Sequence, residues 1–213
     1  YVDIVGEHVD VARNYLIEAV IDIDAKYLLF VGEDTVLPYD GFLKLHETAE
    51  ANPNAVVSGV YYIKLSSPMV MVKDPEHGWI TPANVEPGHV FPVHMVGMDA
   101  MLIPMDILRR MKEQEPELPF CCIWSDGKDF IGEDNFFIHR LHKMGVEVLV
   151  NTDVQCLHID LATGKYTAHS NVDLDNYRTL IPITERLTIA DKGYIDKRWV
   201  DRLPGENNGK IND

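Results

Sequence analysis

Residues 27–38 read Tyr-Leu-Leu-Phe-Val-Gly-Glu-Asp-Thr-Val-Leu-Pro: an apolar run of strand length that ends abruptly at a glycine and two carboxylates, then meets a proline. Bounded in that way, the run predicts a central strand covered on both faces. Glu33 and Asp34 then stand at its C-terminal end. In open α/β sheets ligands bind at that end, and hard oxygen ligands placed there suit Mg²⁺ or Mn²⁺ carrying a substrate phosphate. On their own, these residues equally describe a polar turn after a buried strand.

A second stretch carries the reading further. Residues 130–145, Phe-Ile-Gly-Glu-Asp-Asn-Phe-Phe-Ile-His-Arg-Leu-His-Lys-Met-Gly, put Glu133 and Asp134 in the first turn of an amphipathic helix. Phe136, Phe137, Leu141 and Met144 are spaced to face inward, and Gly145 is the expected stop. Strands at 146–150 and 154–158 follow, the second leading to His158. Carboxylates after one strand, Glu-Asp at a helix start and a strand leading to histidine occur here in an order that resembles the GT-A glycosyltransferases, in particular the small family-2-like enzymes of phages and archaea. The resemblance covers roughly residues 10 to 160 and rests on the order of the motifs. It implies an α/β fold, a mostly parallel GT-A sheet flanked by helices, with residues 1–170 as the catalytic domain and 171–213 as a C-terminal extension or arm. A GT-A domain opens with a strand-helix-strand unit that touches the nucleotide base. Too little sequence precedes residue 14 to supply it, so the expectation is a truncated N-terminal part.

Composition limits the alternatives. The chain has 213 residues, 46% hydrophobic and 25% charged, enough for one α/β domain with a sizeable core. Its formal net charge of −15 argues against a general nucleic-acid groove, which needs Lys and Arg against phosphate. Such acidity suits recruitment of a divalent cation. Cys121, Cys122 and Cys156 are odd in number and lack metal-ligand spacing, so reduced thiols and a cytoplasmic location are the simplest expectation. No apolar run approaches the roughly 18 residues of a membrane span, and no signal-peptide pattern is read.

Taken in order, a short strand is expected at 1–5 and a helix from Asp10 to about Ile23. Within that helix Ala12-Arg13-Asn14 resembles the "ARN" of family-2-like enzymes, which implies that Arg13 helps hold the nucleotide; a solvated surface arginine is the other reading. A helix at 41–49 and a strand at 55–63 follow. The helix between them is long enough to make the carboxylate strand and this strand parallel, joined by a right-handed crossover. The resemblance makes Tyr61 and Lys64 walls of the donor pocket, although sheet packing explains Tyr61 equally well. Residues 65–92 predict a hairpin or acceptor-side loop with short strands near 69–72 and 89–91. A single strand is expected at 93–103, then a helix at 105–113. Asp99 stands where related sequences carry a small residue, and reads either as a donor-sugar ligand or as a charge at the strand's mouth. Residues 120–124 predict a buried or half-buried strand, with Trp124 a candidate platform for a sugar ring. Residues 165–169 are candidates to fold over a diphosphate.

Transfer of a sugar from a nucleotide-diphosphate donor leaves negative charge on the departing phosphate, which a bridging divalent cation stabilises. Asp34 is the first candidate ligand, and the resemblance makes His158 the second, a neutral imidazole completing a Mn²⁺-like site. In the family's DxD pattern Asp34 matches the second aspartate, Glu33 the middle position and Gly32 the first. That departure puts ribose or metal contact at the first position in doubt. The attacking hydroxyl must lose a proton, and Asp134 matches the aspartate that accepts it in inverting relatives, with Glu133 orienting the acceptor. A carboxylate favoured by the helix dipole is the plain alternative for Asp134. The expectation is thus an inverting, Mn²⁺- or Mg²⁺-dependent glycosyltransferase whose acceptor is a glycan, protein, lipid or modified nucleic acid. Two other readings stay open: a GT-A-like nucleotide-binding module without turnover, and a nucleotidyltransferase, for which no glycine-rich phosphate loop is found.

Overall fold

A computed structural model describes residues 7–63, 67–74, 76–82, 85–125, 130–160, 165–167 and 177. The strand expected at 1–5, Lys64, and the C-terminal arm except Tyr177 lie outside these residues. Along the chain come α1 (Val9–Val20), β1 (Tyr27–Val31), β2 (Thr35–Val36), α2 (Gly41–Ala51), β3 (Ala55–Val60), β4 (Tyr62–Ile63) and β5 (Ser67–Pro68). They are followed by β6 (Val70–Asp74), β7 (Gly78–Ile80), β8 (Val90–Pro92), β9 (Met95–Val96), β10 (Ala100–Pro104) and α3 (Met105–Gln114). The last are β11 (Trp124–Ser125), β12 (Phe130–Ile131), α4 (Glu133–Lys143), β13 (Glu147–Gln155), β14 (Leu157–Asp160) and β15 (Lys165–Thr167).

The central sheet has the order β1-β10-β3-β13-β8. Its strands carry apolar residues on both faces, and period-two alternation divides them between two cores. Leu28, Phe30, Val56, Met101, Ile103, Val148 and Val150 face one side, where they meet Ile17 of α1, Ile107, Leu108 and Met111 of α3, and Phe137, Ile138 and Leu141 of α4. Tyr27, Leu29, Ala55, Val57, Leu102 and Leu149 face the other, against Leu45 and Ala49 of α2. Each fully buried side chain of this kind stabilises the fold by about 2 kcal/mol. The expected α/β fold, a sheet flanked by helices, is present.

Strand direction differs from the expectation. β1 and β3 both pair antiparallel with β10, so they run the same way with β10 inserted between them. β13 lies parallel to β3, and β8 is antiparallel to β13. Three of the five strands therefore share one direction, as the crossover through α2 requires, but only one pairing is parallel. In the order of described strands β1 stands at one end. Among the described residues it pairs with β10 alone, Phe30 is its one buried residue, and Val31 is 45% exposed. An apolar run reports two apolar faces and says nothing about how many ladder partners a strand has.

Two further departures have local causes. Residues 93–103 form β9 and β10 separately, β9 pairing with β6. Gly97, Met98 and Asp99 break the run, and the Asp99 carbonyl accepts the Gly32 amide at 3.0 Å. At 120–124 only Trp124 is in a strand. There the Asn14 amide takes over from a ladder, donating to the Cys121 carbonyl at 2.7 Å while its oxygen accepts the Cys121 amide at 3.0 Å. The Asp10 carboxylate accepts the Ile123 amide in the same way. Gly145 ends α4 as expected, at φ +70°, a conformation that favours glycine.

Candidate active site

The C-terminal ends of β1, β3 and β13 lie at one rim of the sheet, and the start of antiparallel β10 joins them, since Val31 is opposite Ala100 and Gln155 opposite Val60. Topology alone therefore brings the residues just past those ends together: Asp34, Tyr61, His158 and Asp99.

Asp34 and His158 meet through a short ladder. β2 and β14 pair antiparallel with Thr35 opposite His158, and the Ile159 amide donates to the Asp34 carbonyl at 2.6 Å. The side chains follow, with Asp34 Oδ2 at 2.9 Å from His158 Nε2. Glu33, the middle residue of the turn, is exposed.

A second cluster forms around Arg13. In α1, Arg13, Ile17 and Ile21 recur every fourth residue, which puts the guanidinium on the inward stripe, 7% exposed. Nη2 donates to Asp99 Oδ1 at 2.7 Å. Nη1 donates to Glu133 Oε1 at 2.9 Å and also to Asp134 Oδ1. One cation thus faces three carboxylates. Burial works against the charge on Arg13, but Asp134 and Asp99 outweigh it and hold the guanidinium protonated. Burial acts the other way on Asp134, pushing its carboxyl up to about 6; Arg13 pulls down, while Glu133 and Asp99 add to the rise. The helix dipole therefore does not leave Asp134 an ordinary ionised carboxylate.

Tyr61 joins the two clusters. Its ring lies 5.9 Å from that of His158, and its buried hydroxyl sits by Asp99. Glycine at 97 permits this, because a Cβ there would stand 1.6 Å from the Tyr61 hydroxyl. Burial, followed by the charges of Asp99 and Asp134, raises the Tyr61 hydroxyl well above its ordinary pKa.

The structure thus brings Arg13, Asp34, Tyr61, Asp99, Glu133, Asp134 and His158 into one chain of contacts. It engages Arg13 with carboxylates, in place of the solvated surface arginine considered from sequence. Trp124 stands apart, 45% exposed on the two-stranded β11-β12 ribbon, opposite Ile131. Lys165–Thr167 form β15, paired with β14 so that Thr167 is opposite His158. The pairing of Arg13 with Asp99 and Asp134 was not anticipated, yet it had a readable signal: an arginine in register with Ile17 and Ile21. The cysteines are free thiols; burial pushes Cys121 up to about 12, which leaves it inert as a nucleophile.

Among the described residues no three His, Cys, Asp or Glu side chains form a ready cation site. The pair Asp34 and His158 nonetheless fits a divalent ion. Adjacent ligands of an octahedral ion with bonds near 2.1 Å stand about 3 Å apart, the separation found between Oδ2 and Nε2. A carboxylate oxygen with an imidazole nitrogen is also a donor set that Mn²⁺ accepts.

No protein-family model matches the chain. No curated protein matches it either. Among solved structures it resembles the crystal structure of A197 from STIV, with a TM-score of 0.51 and 22% identity over 72% of this chain and 69% of that one. UTP-bound UGPase from Acinetobacter baumannii is a weaker likeness, at a TM-score of 0.42 and 7% identity over 71% of this chain and about half, 51%, of the other. The first likeness shows a shared fold, and the second falls below the level that would. No described helix is long and apolar enough to cross a membrane.

Proposed function

We propose that this protein is a metal-dependent glycosyltransferase that moves a sugar from a nucleotide-diphosphate donor to a hydroxyl acceptor with inversion. The observation that carries the reading is the contact of Asp34 with His158, joined through Tyr61 to the Arg13–Asp134 cluster. Strand-end carboxylate, histidine and helix-start carboxylate, distant in sequence, share one rim. Asp34 and His158 would hold Mn²⁺ or Mg²⁺, which supplies Lewis-acid stabilisation of the departing diphosphate when bound. Asp134 accepts the proton of the acceptor hydroxyl, and Glu133 orients the acceptor. Asp134 is half-buried and its carboxyl is pushed up to about 6, within reach of neutrality as a general base requires. Tyr61 lines the donor side, exposed Glu33 is available to ribose, and Trp124 offers its ring to a sugar.

Calorimetry with UDP and GDP, with and without Mn²⁺, tests the donor site. Expected is nucleotide binding strengthened at least tenfold by Mn²⁺ in the natural sequence and not in Asp34→Ala or His158→Ala. Metal-independent binding of equal strength in all three would remove the cation from the site. A panel of nucleotide sugars screened for Mn²⁺-dependent hydrolysis then identifies the donor. One observation favours a binding module without turnover: the Asp134 carboxylate is already engaged by Arg13. Nucleotide binding with no hydrolysis of any donor in the panel would decide for that module.

A further inference from the structure

We infer that Asp99 is a positioning residue of the proposed transfer: reaching from the start of β10 into the space that Gly32 leaves beside it, it fixes Arg13 and, through Arg13, the carboxylate of Asp134. The inference rests on the reading of Asp134 as the base, and it adds a reason for the glycine that departs from the DxD pattern.

Steric fit is the first support. A Cβ at position 32 would lie 2.8 Å from Asp99 Cγ, 2.9 Å from its Cβ and 3.0 Å from Oδ1, closer than side chains pack. The Gly32 amide also holds the Asp99 carbonyl at 3.0 Å, so the two backbones cannot separate without losing that bond. An aspartate or alanine at 32 and the present Asp99 are mutually exclusive. The carboxylate missing from the first strand is instead delivered from the strand next to it.

The division of the guanidinium is the second support. Asp99 takes Nη2, leaving Nη1 for Glu133 and Asp134. With a partner on each side the planar fork cannot turn, which sets the face it presents to α4. Among the described residues the groups that face Asp134 are Arg13 from α1, Glu133 from its own helix, Asp99 from before β10, Tyr61 from after β3 and Cys121 from before β11. Only Arg13 among them is a cation. Whatever holds Arg13 therefore decides how strongly Asp134 is neutralised.

The test follows the side-chain carboxyl carbon of Asp134 by NMR as pH is varied, in the full chain without metal or donor. In Asp99→Asn, which keeps size and removes charge, the midpoint of Asp134 is expected to fall by about one pH unit, because a like charge is gone and the guanidinium serves α4 alone. Gly32→Ala, which displaces the Asp99 carboxylate, should move it the same way by less. In the Asp99→Asn background Gly32→Ala should add nothing. Unmoved midpoints in both single variants overturn the inference, as does a Gly32→Ala effect that persists without the Asp99 carboxylate. If Asp99→Asn does not fold, Gly32→Ala alone decides by the same criterion. In turnover, Asp99→Asn is expected to lower kcat roughly tenfold with donor KM within threefold. A raised donor KM with an unmoved midpoint would make Asp99 a donor ligand instead. The titration needs no turnover, so the two failures are distinguishable: a wild-type chain without transferase activity would defeat the proposed function and with it the role of Asp99 in transfer, whereas unmoved midpoints would defeat the control of Asp134 by Asp99 whatever the activity.

Discussion

A side chain that must take a proton near neutral pH has to be ionised without being held so firmly that it cannot accept, and Asp134 sits between those limits. Burial pushes it up to about 6 while Arg13 opposes the rise. Transfer is therefore expected to increase with pH through about 6 on a single ionisation, measured as kcat/KM across pH 4.5 to 8. Asp134→Asn should abolish that limb and cut turnover by about 10² or more with donor binding unchanged. The same residue makes a stability prediction of opposite sense. A carboxyl raised in the folded state binds its proton more tightly there than in the unfolded chain. Its contribution to stability is present below the ordinary carboxyl range and lost as pH rises through about 6. Asn, which carries no charge to bury, should accordingly raise Tm most at pH 8, with the gain shrinking steadily as pH falls from about 6 toward the ordinary carboxyl value of 3.8. A lower Tm at pH 8 would mean that the bond to Arg13 outweighs burial.

At the scale of elements, what the sequence expresses as a period could be read and what it expresses as a single long-range bond could not. The helices α1, α2, α3 and α4 and the strands β1 and β3 stand within a few residues of where apolar spacing puts them; β10 takes only the end of the run expected as one strand at 93–103, and β13 continues to Gln155 through the break expected after residue 150. The β2-β14 ladder that seats His158 against Asp34 involves strands of two and four residues, too short to show a period. That β1 has one ladder partner among the described residues was hidden because two apolar faces look alike on strands with one neighbour or two. Residues 120–123 have the composition of a strand, but the amide of Asn14 satisfies the Cys121 backbone in place of a neighbour. That substitution is testable. Asn14→Ala leaves both Cys121 backbone groups without their partner and should cost about 2 kcal/mol. Hydrogen exchange should accelerate at 120–125 while α1 keeps its protection; equal acceleration along α1 would show that the amide supports the helix instead.

Across the whole molecule the candidate site is drawn from two sets of elements. Asp34 and His158 belong to the ladder beyond β1 and β13, whereas Arg13, Glu133 and Asp134 belong to helices α1 and α4. Among the described residues Tyr61 meets both, its ring against His158 and its hydroxyl by Asp99. If the two halves act together, the coupling passes through that hydroxyl, through the substrate or directly through space across the rim. Tyr61→Phe separates these routes, since it keeps the ring and removes the oxygen. With no donor present, Mn²⁺ titrated into the wild-type chain should move the Asp134 carboxyl midpoint downward, a cation at Asp34 and His158 favouring the ionised form. In Tyr61→Phe the downward movement should shrink by about half while Mn²⁺ affinity stays within threefold, because the hydroxyl dipole that links Asp99 to the metal side is gone. An undiminished movement in Tyr61→Phe would show that the charge acts through space across the rim. Gly97→Ala should mimic Tyr61→Phe, since its Cβ would occupy the place of the hydroxyl, and should also lower stability by about 1–3 kcal/mol through overpacking. Removing the hydroxyl in the same chain, as Gly97→Ala with Tyr61→Phe, should restore most of that loss.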